Sequence, residues 1–401
     1  MPEKRHPIPK GFLLSTAKAG IKYPTKKPTR LDMALIYSEV DAVISGTFTT
    51  NKIKGAPVKL CMERISSGKG RAIVINSGNS NVATGTEGLK DAYYMASLTA
   101  RALGIDERLT YVASTGVIGV RLPMNRIEEG IGKLITGLGG STPLDVAHAI
   151  MTTDTFPKII SKRVRFGGKA ATMLGIAKGA GMIAPKMATM LCFIITDLNV
   201  EGTALDSALK EAVEGSFNRI TIDGDMSTSD TALIMANGAA GNPLIKKTSK
   251  DYKGFKEAVF EITYGLSRLI ATDGEGATKL IEVAIEGART ESDALRAAFS
   301  VANSSLVKTA IYGNDINWGR VIAALGRSGA ELKEEKIDIY FGNTMLVKGG
   351  VSTGLEGKGE RELKKKSVLI RVVLNMGKGT ARVLTCDLTE DYIKINAEYR
   401  T

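Results

Sequence analysis

The segment Lys178-Gly-Ala-Gly-Met-Ile-Ala-Pro-Lys-Met-Ala-Thr-Met-Leu191 decides how the chain folds at its centre. It separates two strand-like stretches, residues 170–177 and 190–196, and the second contains the longest dense apolar run of the chain. Glycine and proline within so few residues predict a loop that leads directly into a buried strand. Such a strained loop can press the hydroxyl of Thr189 against the carbonyl of the preceding Ala188.

The Ala188–Thr189 bond is therefore a candidate for self-cleavage. Attack of the Thr189 hydroxyl on the Ala188 carbonyl gives an ester and frees the Thr189 α-amine, and water then cleaves that ester. An α-amine has a reference pKa of roughly 7.7–8.0, so it can accept a proton near neutral pH. The nucleophile and its base then belong to one residue. A chain with only two histidines, His6 and His148, needs such a solution.

Strand-like and helix-like patterns alternate along the whole chain. Strand-like stretches, rich in Val, Ile and Thr, occupy residues 31–37, 42–47, 72–76, 109–114, 159–166, 170–177, 190–196, 279–285, 336–341, 368–375 and 381–386. Apolar residues recur at helical spacing in residues 87–103, 124–138, 203–217, 254–270 and 292–301. The glycine-rich, basic stretch 350–366 is predicted to be an exposed loop. The pattern predicts an α/β (α+β) fold with several layers and a smaller C-terminal domain after about residue 310.

The composition is that of a globular protein of the cytoplasm. The 401 residues are 43% hydrophobic and 24% charged, and no apolar run approaches the roughly 20 residues of a membrane helix. Cys61, Cys192 and Cys386 lie far apart, which gives no zinc spacing and predicts reduced core thiols. Because the N-terminus carries no export signal, we expect a cytoplasmic location and no membrane partner.

Nucleotide and nucleic-acid binding are poorly supported. The net charge is +12, but only 5% of residues are aromatic, so the basic clusters are better interpreted as solvated surface. Residues 179–184 match a dinucleotide fingerprint loosely. Pro185 follows at once and the next stretch is a strand, which favours a plain loop. The chain also lacks a G-x-S-x-G elbow, a P-loop and an H-E-x-x-H motif.

Residues 178–191 resemble the self-cleavage site of the glutamate N-acetyltransferase family, also called ornithine acetyltransferase, of arginine biosynthesis. Four further strings resemble motifs of that family and occur in the family's order: residues 114–119, 151–157, 273–279 and 395–401. The resemblance spans nearly the whole chain. Because five motifs in one order are hard to explain by chance, the chain is identified as a member of this family.

The resemblance implies roles for individual residues. Thr189 matches the nucleophile and the new N-terminus that cleavage after Ala188 creates, while Thr115 and Gly116 match the pair that stabilises the oxyanion. The residues that match the family's substrate contacts are Thr155, Lys178, Thr189, Glu275, Asn396 and Thr401. One position departs from the pattern, since Lys186 stands where the family often has Asn.

The resemblance also implies a fold and an assembly. Family members have an αββα-type layered core, and their two cleaved chains stay associated as α2β2 or larger. Here the chains are residues 1–188, with a charge of +14, and residues 189–401, with a charge of −2. Both pieces are expected to contribute to one core and therefore to fold before they are cut.

The implied reaction transfers acetyl from N-acetylornithine to glutamate through an acetyl-Thr189 ester. Both substrates present an α-carboxylate, and Lys178 is the cation expected to bind it. No cofactor and no metal are expected. The sequence leaves open whether acetyl-CoA is also an acetyl donor, because no nucleotide-binding signature decides the point.

Two other functions stay open at this level. A related fold occurs in self-cleaving aminopeptidases and amidohydrolases that use a Ser nucleophile, and release of acetate without glutamate would favour that hydrolytic alternative. The other is a basic binding protein without catalytic activity, which two fragments split after Ala188 would argue against.

Overall fold

The computed structural model describes residues 6–22, 29–184 and 190–398. The strands are β1 (Phe12–Ala17), β2 (Met33–Phe48), β3 (Lys69–Asn79), β4 (Thr110–Val117), β5 (Lys158–Phe166), β6 (Lys169–Lys178), β7 (Leu191–Thr196), β8 (Thr231–Ala236), β9 (Leu280–Ala288), β10 (Asp338–Phe341), β11 (Thr344–Lys348), β12 (Val351–Ser352), β13 (Ser367–Val373) and β14 (Gly379–Cys386).

Helices separate many of these strands. They are α1 (Ala56–Arg64), α2 (Gly85–Leu103), α3 (Met124–Thr136), α4 (Pro143–Ile150), α5 (Gly202–Gly215), α6 (Tyr252–Thr272), α7 (Glu291–Ala302), α8 (Ser305–Tyr312), α9 (Trp318–Gly326), α10 (Glu356–Leu363) and α11 (Glu390–Glu398). Within the described ranges, no helix is long and apolar enough to cross a membrane.

The first sheet has eight strands, in the order β4-β3-β2-β8-β7-β6-β5, with β1 also paired to β2. Strand β2 runs through both halves of this sheet. Its residues before Tyr37 pair with β1 and β3, and its residues after Ala42 pair mainly with β8. The register shifts between these two points, and an irregularity of this kind bends a strand.

The bend turns the two halves of the sheet toward each other. Apolar residues of β1 to β4 share one hydrophobic cluster with alternate residues of β7, namely Leu191, Phe193 and Ile195. The intervening Cys192 and Ile194 pack on the opposite side with α5 and α6. Helices α1 and α2 contact β4, and α3 contacts β1. These layers account for the continuous apolar sequence of β7, because both of its faces are covered.

The second sheet has six strands, in the order β12-β11-β10-β13-β9-β14. Its apolar face packs with α7, α8, α9 and Leu363 of α10 in a third cluster. Strand β9 joins this sheet at Leu280, upstream of residue 310. The division of the chain into residues 1–188 and 189–401 remains a prediction.

The mixed α/β class is confirmed, and each predicted strand and helix has a counterpart in the structure. The exposed loop predicted for residues 350–366 is wrong, because α10 lies within it. Two glycines lower the helix propensity of α10, but tertiary packing outweighs that cost. Leu363 is fully buried, and a Cβ on Gly359 would lie only 3.1 Å from Ile316 Cδ1, so this helix packs closely.

Candidate active site

A cavity of about 350 Å³ opens where the ends of β4 and β6 meet. The bend in β2 makes this meeting possible, because it turns the two halves of the first sheet toward each other. Segments from far apart in the sequence complete the wall, and it includes Ser80, Thr115, Gly116, Thr152, Thr153, Lys178, Gly181, Met182, Asp223, Asp225, Ser227, Ser229, Glu275, Tyr392 and Asn396. Four of the residues predicted for the site, Thr115, Gly116, Lys178 and Glu275, therefore share one cavity with a fifth, Asn396.

Thr115 and Gly116 end β4 at the cavity wall. Gly116 pairs with Gly78 of the parallel strand β3 and has a φ of +132°, which side chains rarely adopt. A Cβ at this position would lie 2.3 Å from the carbonyl carbon of Gly78, so only glycine lets the two backbones approach. The buried Thr115 hydroxyl accepts a hydrogen bond from Lys178 Nζ at 3.3 Å, which leaves its own proton available for donation.

Lys178 is the last residue of β6 and is only 3% exposed. Its ammonium donates to Thr152 Oγ1 at 2.8 Å and to Thr115 Oγ1 at 3.3 Å. Burial lowers the pKa of Lys178, and the nearby Asp154 carboxylate opposes that change. An ammonium has three N–H groups, and the described residues accept two of those of Lys178.

Asp154 supports Lys178 from behind the cavity wall. Its carboxylate accepts the Gly179 N–H at 2.7 Å and the Thr152 N–H at 3.0 Å. Burial alone would raise the pKa of Asp154, but the positive charges of Lys178 and Lys158 hold it at about 2. Asp154 is therefore a fixed negative charge that holds the ends of two cavity segments together.

A buried ion cluster connects this charge with a third segment. The Lys158 ammonium is fully buried and contacts Asp154 Oδ1 at 2.7 Å and Asp273 Oδ2 at 2.5 Å. Asp273 also accepts hydrogen bonds from the N–H and the hydroxyl of Thr155. The structure thus places Thr155 beside the ion cluster, with its hydroxyl directed to Asp273, and not in the described wall of the cavity.

Glu275 and Asn396 form the opposite wall. The Asn396 amide on α11 donates to Glu275 Oε2 at 2.8 Å, and the Glu275 N–H donates to the Ala180 carbonyl at 2.8 Å. Gly181 leaves space for the carboxyl group of Glu275, since a Cβ on this glycine would lie 2.4 Å from it. The loop after β6 therefore positions Glu275 in two ways: the Ala180 carbonyl binds its N–H, and Gly181 has no side chain that would collide with its carboxyl group.

Asp223 adds a second carboxylate to this wall. It accepts the N–H groups of Met182 and Ile183 at 2.6 and 2.8 Å, and Met182 has a positive φ of 57°. Burial raises the pKa of Asp223, and these backbone donors oppose the increase. The described lining of the cavity thus combines the ammonium of Lys178 with the carboxylates of Glu275, Asp223 and Asp225.

Several predicted residues lie outside the described part of the chain. These are Ala188 and Thr189 at the expected cleavage site, the departing position Lys186, and Thr401. The nearest described neighbour of Thr189 is Met190, whose N–H donates to Asp230 Oδ1 at 2.9 Å. Among the described residues, no cluster of three or more His, Cys, Asp and Glu side chains could hold a metal ion.

The chain matches one protein family over residues 13–401, and that family is ArgJ. The chain belongs to the ArgJ family. It is 51% identical over 394 residues to the arginine biosynthesis bifunctional protein ArgJ of Geobacter sulfurreducens, covering 98% of this chain and 99% of that protein. It is 49% identical over 399 residues to the ArgJ of Caldanaerobacter subterraneus, covering 98% of each. The family expected from the motifs is confirmed, and it assigns the chain to acetyl transfer in arginine biosynthesis.

A solved ArgJ structure agrees with the fold. The crystal structure of ArgJ from Bacillus halodurans is 45% identical in sequence and superposes with a TM-score of 0.51. It covers 53% of this chain and 100% of the solved chain.

Sequence reasoning missed the residues that hold the ArgJ-family site together. Thr152 and Asp154 lie inside the motif at residues 151–157, so their positions could have been found there. Lys158 follows that motif directly, but only its burial distinguishes it from other basic residues of β5. Asp223 lies close to Asp225 and Asp230, and this segment is typical of a turn-rich acidic loop, so its contact with the loop after β6 was not predicted.

Replacing Lys158 by Met should lower the free energy of unfolding by about 3–5 kcal/mol. The substitution leaves the carboxylates of Asp154 and Asp273 buried without their shared cation. Urea denaturation of the purified protein measures the change. The matched control is Lys162→Met on the same strand, where Lys162 pairs with Glu261 near the surface. That pair should contribute less than about 1 kcal/mol, and equal losses in both variants would contradict the role of the cluster.

Proposed function

We propose that the chain cuts itself between Ala188 and Thr189 and then transfers acetyl from N-acetylornithine to glutamate through an acetyl-Thr189 ester. The observation that carries the proposal is the cavity, which brings Thr115, Gly116 and Lys178 together with Glu275 and Asn396. These residues come from four of the motifs that carry the family resemblance. The fifth motif, residues 151–157, supplies Thr152 and Thr153 to the same wall. Thr189 belongs to the motif of Lys178 and lies in the segment between β6 and β7.

In the first step the Thr189 hydroxyl attacks the acetamide carbonyl of N-acetylornithine. The free Thr189 amine accepts the hydroxyl proton, and the oxygen of the carbonyl becomes negatively charged. The Thr115 hydroxyl and the Gly116 N–H donate to this oxyanion, and such donors act on charge that develops in the transition state. The C–N bond then breaks, the amine returns its proton to ornithine, and acetyl-Thr189 remains.

In the second step glutamate takes the place of ornithine. Its neutral α-amine attacks the acetyl-Thr189 carbonyl, the same two donors stabilise the oxyanion, and the C–O bond to Thr189 breaks. The Thr189 amine carries the proton from the attacking amine to the departing oxygen. Acetylglutamate leaves, and the hydroxyl and amine of Thr189 return to their starting state.

The charges of the cavity suit the acetyl donor. N-acetylornithine carries an α-carboxylate and a side-chain ammonium. Lys178 has an N–H that no described residue accepts and offers it to the carboxylate, while Glu275 and Asp223 present negative charge to the ammonium. Glutamate also presents an α-carboxylate, so both substrates would use Lys178 in turn.

The sizes of solved chains support self-cleavage. The Bacillus halodurans ArgJ chain corresponds in full to 53% of this chain, which is the share that residues 189–401 represent. A cut after Ala188 would give a product of this size. The products would stay together, because β6 and β7 pair across the cut and β2 pairs with β8. We infer an assembly of at least two copies of each product.

The second activity of this chain would be acetylation of glutamate from acetyl-CoA. Curated relatives are named bifunctional, and both donors can give the same acetyl-Thr189 ester. Supplying N-acetylornithine and acetyl-CoA separately, each with glutamate, tests the two activities. Acetylglutamate formed from N-acetylornithine alone would restrict the chain to one of them, and acetate release without glutamate would indicate a hydrolase.

Replacing Thr189 by Ala should leave one uncut chain of 42.6 kDa, because the hydroxyl that attacks Ala188 is missing. Intact-mass analysis of purified protein should show two pieces for the unaltered chain and one for the variant. Brief treatment of the unaltered protein with N-acetylornithine should add one acetyl group to the C-terminal piece. A Thr189→Ala chain that still splits at this bond would show that another protease cuts it.

Replacing Thr115 by Val should lower kcat for acetyl transfer by about 100-fold or more. Loss of one oxyanion donor typically has an effect of this size. Thr110→Val makes the same chemical change on the same strand, where the Thr110 hydroxyl is buried without a described hydrogen-bond partner. This control should keep its kcat. Similar kcat values in the two variants would remove Thr115 from the oxyanion site.

Replacing Lys178 by Met should raise KM for both N-acetylornithine and glutamate, because both carboxylates lose the same cation. It should also shift the acidic limb of the kcat/KM profile to higher pH. The ammonium disfavours a second positive charge, so its removal raises the pKa of the Thr189 amine. Lys169→Met, at the exposed opposite end of β6, is the control and should change neither quantity. If both KM values and the acidic limb of the kcat/KM profile stay unchanged in Lys178→Met, Lys178 has a structural role and does not bind the substrates.

A further inference from the structure

Asp230 is a buried carboxylate beside the peptide group that joins Thr189 and Met190. It is fully buried, and its Oδ1 accepts the Met190 N–H at 2.9 Å. Its second oxygen, Oδ2, is also buried and has no hydrogen-bond partner among the described residues. A buried polar atom without a partner destabilises a fold, so one retained at this position needs a functional explanation.

The fold holds Asp230 firmly in this place. Strands β7 and β8 are parallel and pair Leu191 with Thr231, so the residues that precede the two strands are neighbours at one edge of the sheet. The Thr231 N–H donates to the Met190 carbonyl at 3.1 Å, and the Thr49 N–H donates to the Asp230 carbonyl at 3.1 Å. The adjacent Ser229 lines the cavity, so Asp230 lies directly behind the cavity wall.

Self-cleavage needs a proton acceptor that the transfer reaction does not need. Before the cut, the nitrogen of Thr189 belongs to an amide and cannot act as the base. Lys178 is a cation, and both oxygens of Asp223 already accept backbone N–H groups. His6 contacts Ser161 on β5, and His148 is exposed on α4. Among the described residues, Asp230 is the buried carboxylate that contacts the Met190 N–H, and its second oxygen is left to accept a proton.

The environment of Asp230 suits this task. Burial raises the pKa of Asp230 well above its ordinary value, and the Met190 N–H, the nearby side chains of Ser227 and Thr49 and the Lys178 charge oppose the increase. A carboxylate with a raised pKa is a stronger base than an ordinary aspartate. Lys178 is the charged group that acts on it from the end of β6.

We propose that Asp230 is the proton-transfer residue of self-cleavage, an inference that rests on the proposed cut between Ala188 and Thr189. Asp230 Oδ2 accepts the proton of the Thr189 hydroxyl as its oxygen forms a bond to the Ala188 carbonyl carbon. The bond from that carbon to the Thr189 nitrogen breaks, and Asp230 gives the proton to this nitrogen. The product is an ester with a free amine, and Asp230 is again a carboxylate. Water then hydrolyses the ester.

Asp230→Asn is the decisive variant, because an amide oxygen can still accept the Met190 N–H but cannot take a proton. Full-length chain made by cell-free translation should be cut about 10²–10⁴-fold more slowly in this variant, the usual contribution of a general base. Asp41→Asn makes the same change at an exposed carboxylate and should be cut at the unaltered rate. A normal cleavage rate in Asp230→Asn would overturn the proposal and reduce Asp230 to an anchor for Met190.

Hydroxylamine identifies the step that is affected. It splits an ester but not an amide, so it should not accelerate cleavage of Asp230→Asn if formation of the ester is blocked. Rapid splitting by hydroxylamine would place the defect after the ester and would overturn the proposal.

Two measurements separate this test from misfolding and from failure of the proposed function. Circular dichroism and thermal unfolding report whether Asp230→Asn folds. If it does not, the unaltered chain is diluted after translation into buffers of different pH. Its cleavage rate should then rise with pH and level off, whereas a rate independent of pH would overturn the proposal. An unaltered chain that never splits, or a Thr189→Ala chain that does, would instead refute the proposed self-cleavage.

Discussion

The buried pairing of Lys158 with Asp154 and Asp273 is the interaction on which the site depends. One ammonium neutralises two carboxylates, and each carboxylate also accepts hydrogen bonds from backbone N–H groups. Asp154 holds Thr152 and Gly179, and Asp273 holds Thr155. A buried ion pair seldom adds much net stability compared with an apolar pair of the same size. Its value here is positional, because it fixes backbone from three distant parts of the chain around Lys178.

The bend in β2 supplies the second constraint. If the eight-stranded sheet were flat, the end of β4 and the end of β6 would lie at opposite ends of β2, since β2 pairs with β3 near Met33 and with β8 near Phe48. The register shift after Tyr37 folds the sheet over its own core, and the two ends meet. Thr115 and Gly116 are thus neighbours of Lys178 because of one irregular strand.

Local pattern predicted most of the elements, and short motifs predicted the cavity residues. A continuous apolar run such as Leu191–Thr196 could be predicted to be a strand, because a strand that is buried on both faces is apolar at every position. The register shift in β2 lies in the gap between the predicted stretches 31–37 and 42–47, but the sequence did not show that the two stretches form one bent strand. The positions of Asp230 and Lys158 were also missed. Both residues are buried, and the burial of a charged residue depends on tertiary packing, which the local sequence does not show. The helix within residues 350–366 was missed for the same reason. Burial of Leu363 stabilises it, whereas the low helix propensity of its two glycines is all that the local sequence shows.

The position of the proposed cut follows from the same sheet. Lys178 pairs with Leu191 and Ala177 with Cys192, so the strands on either side of residues 188 and 189 are already joined by an antiparallel ladder. A broken peptide bond in the connection leaves every bond of this ladder in place. Strand β8, from the second product, also lies between β7 and β2, and β2 belongs to the first product. Separation of the products would expose both faces of β7 and a core made by both pieces. The fold therefore stays intact without the connection, provided that the sheet forms before the cut. An autocatalytic cut beside Asp230 requires the same order, because the sheet places Asp230 next to Met190.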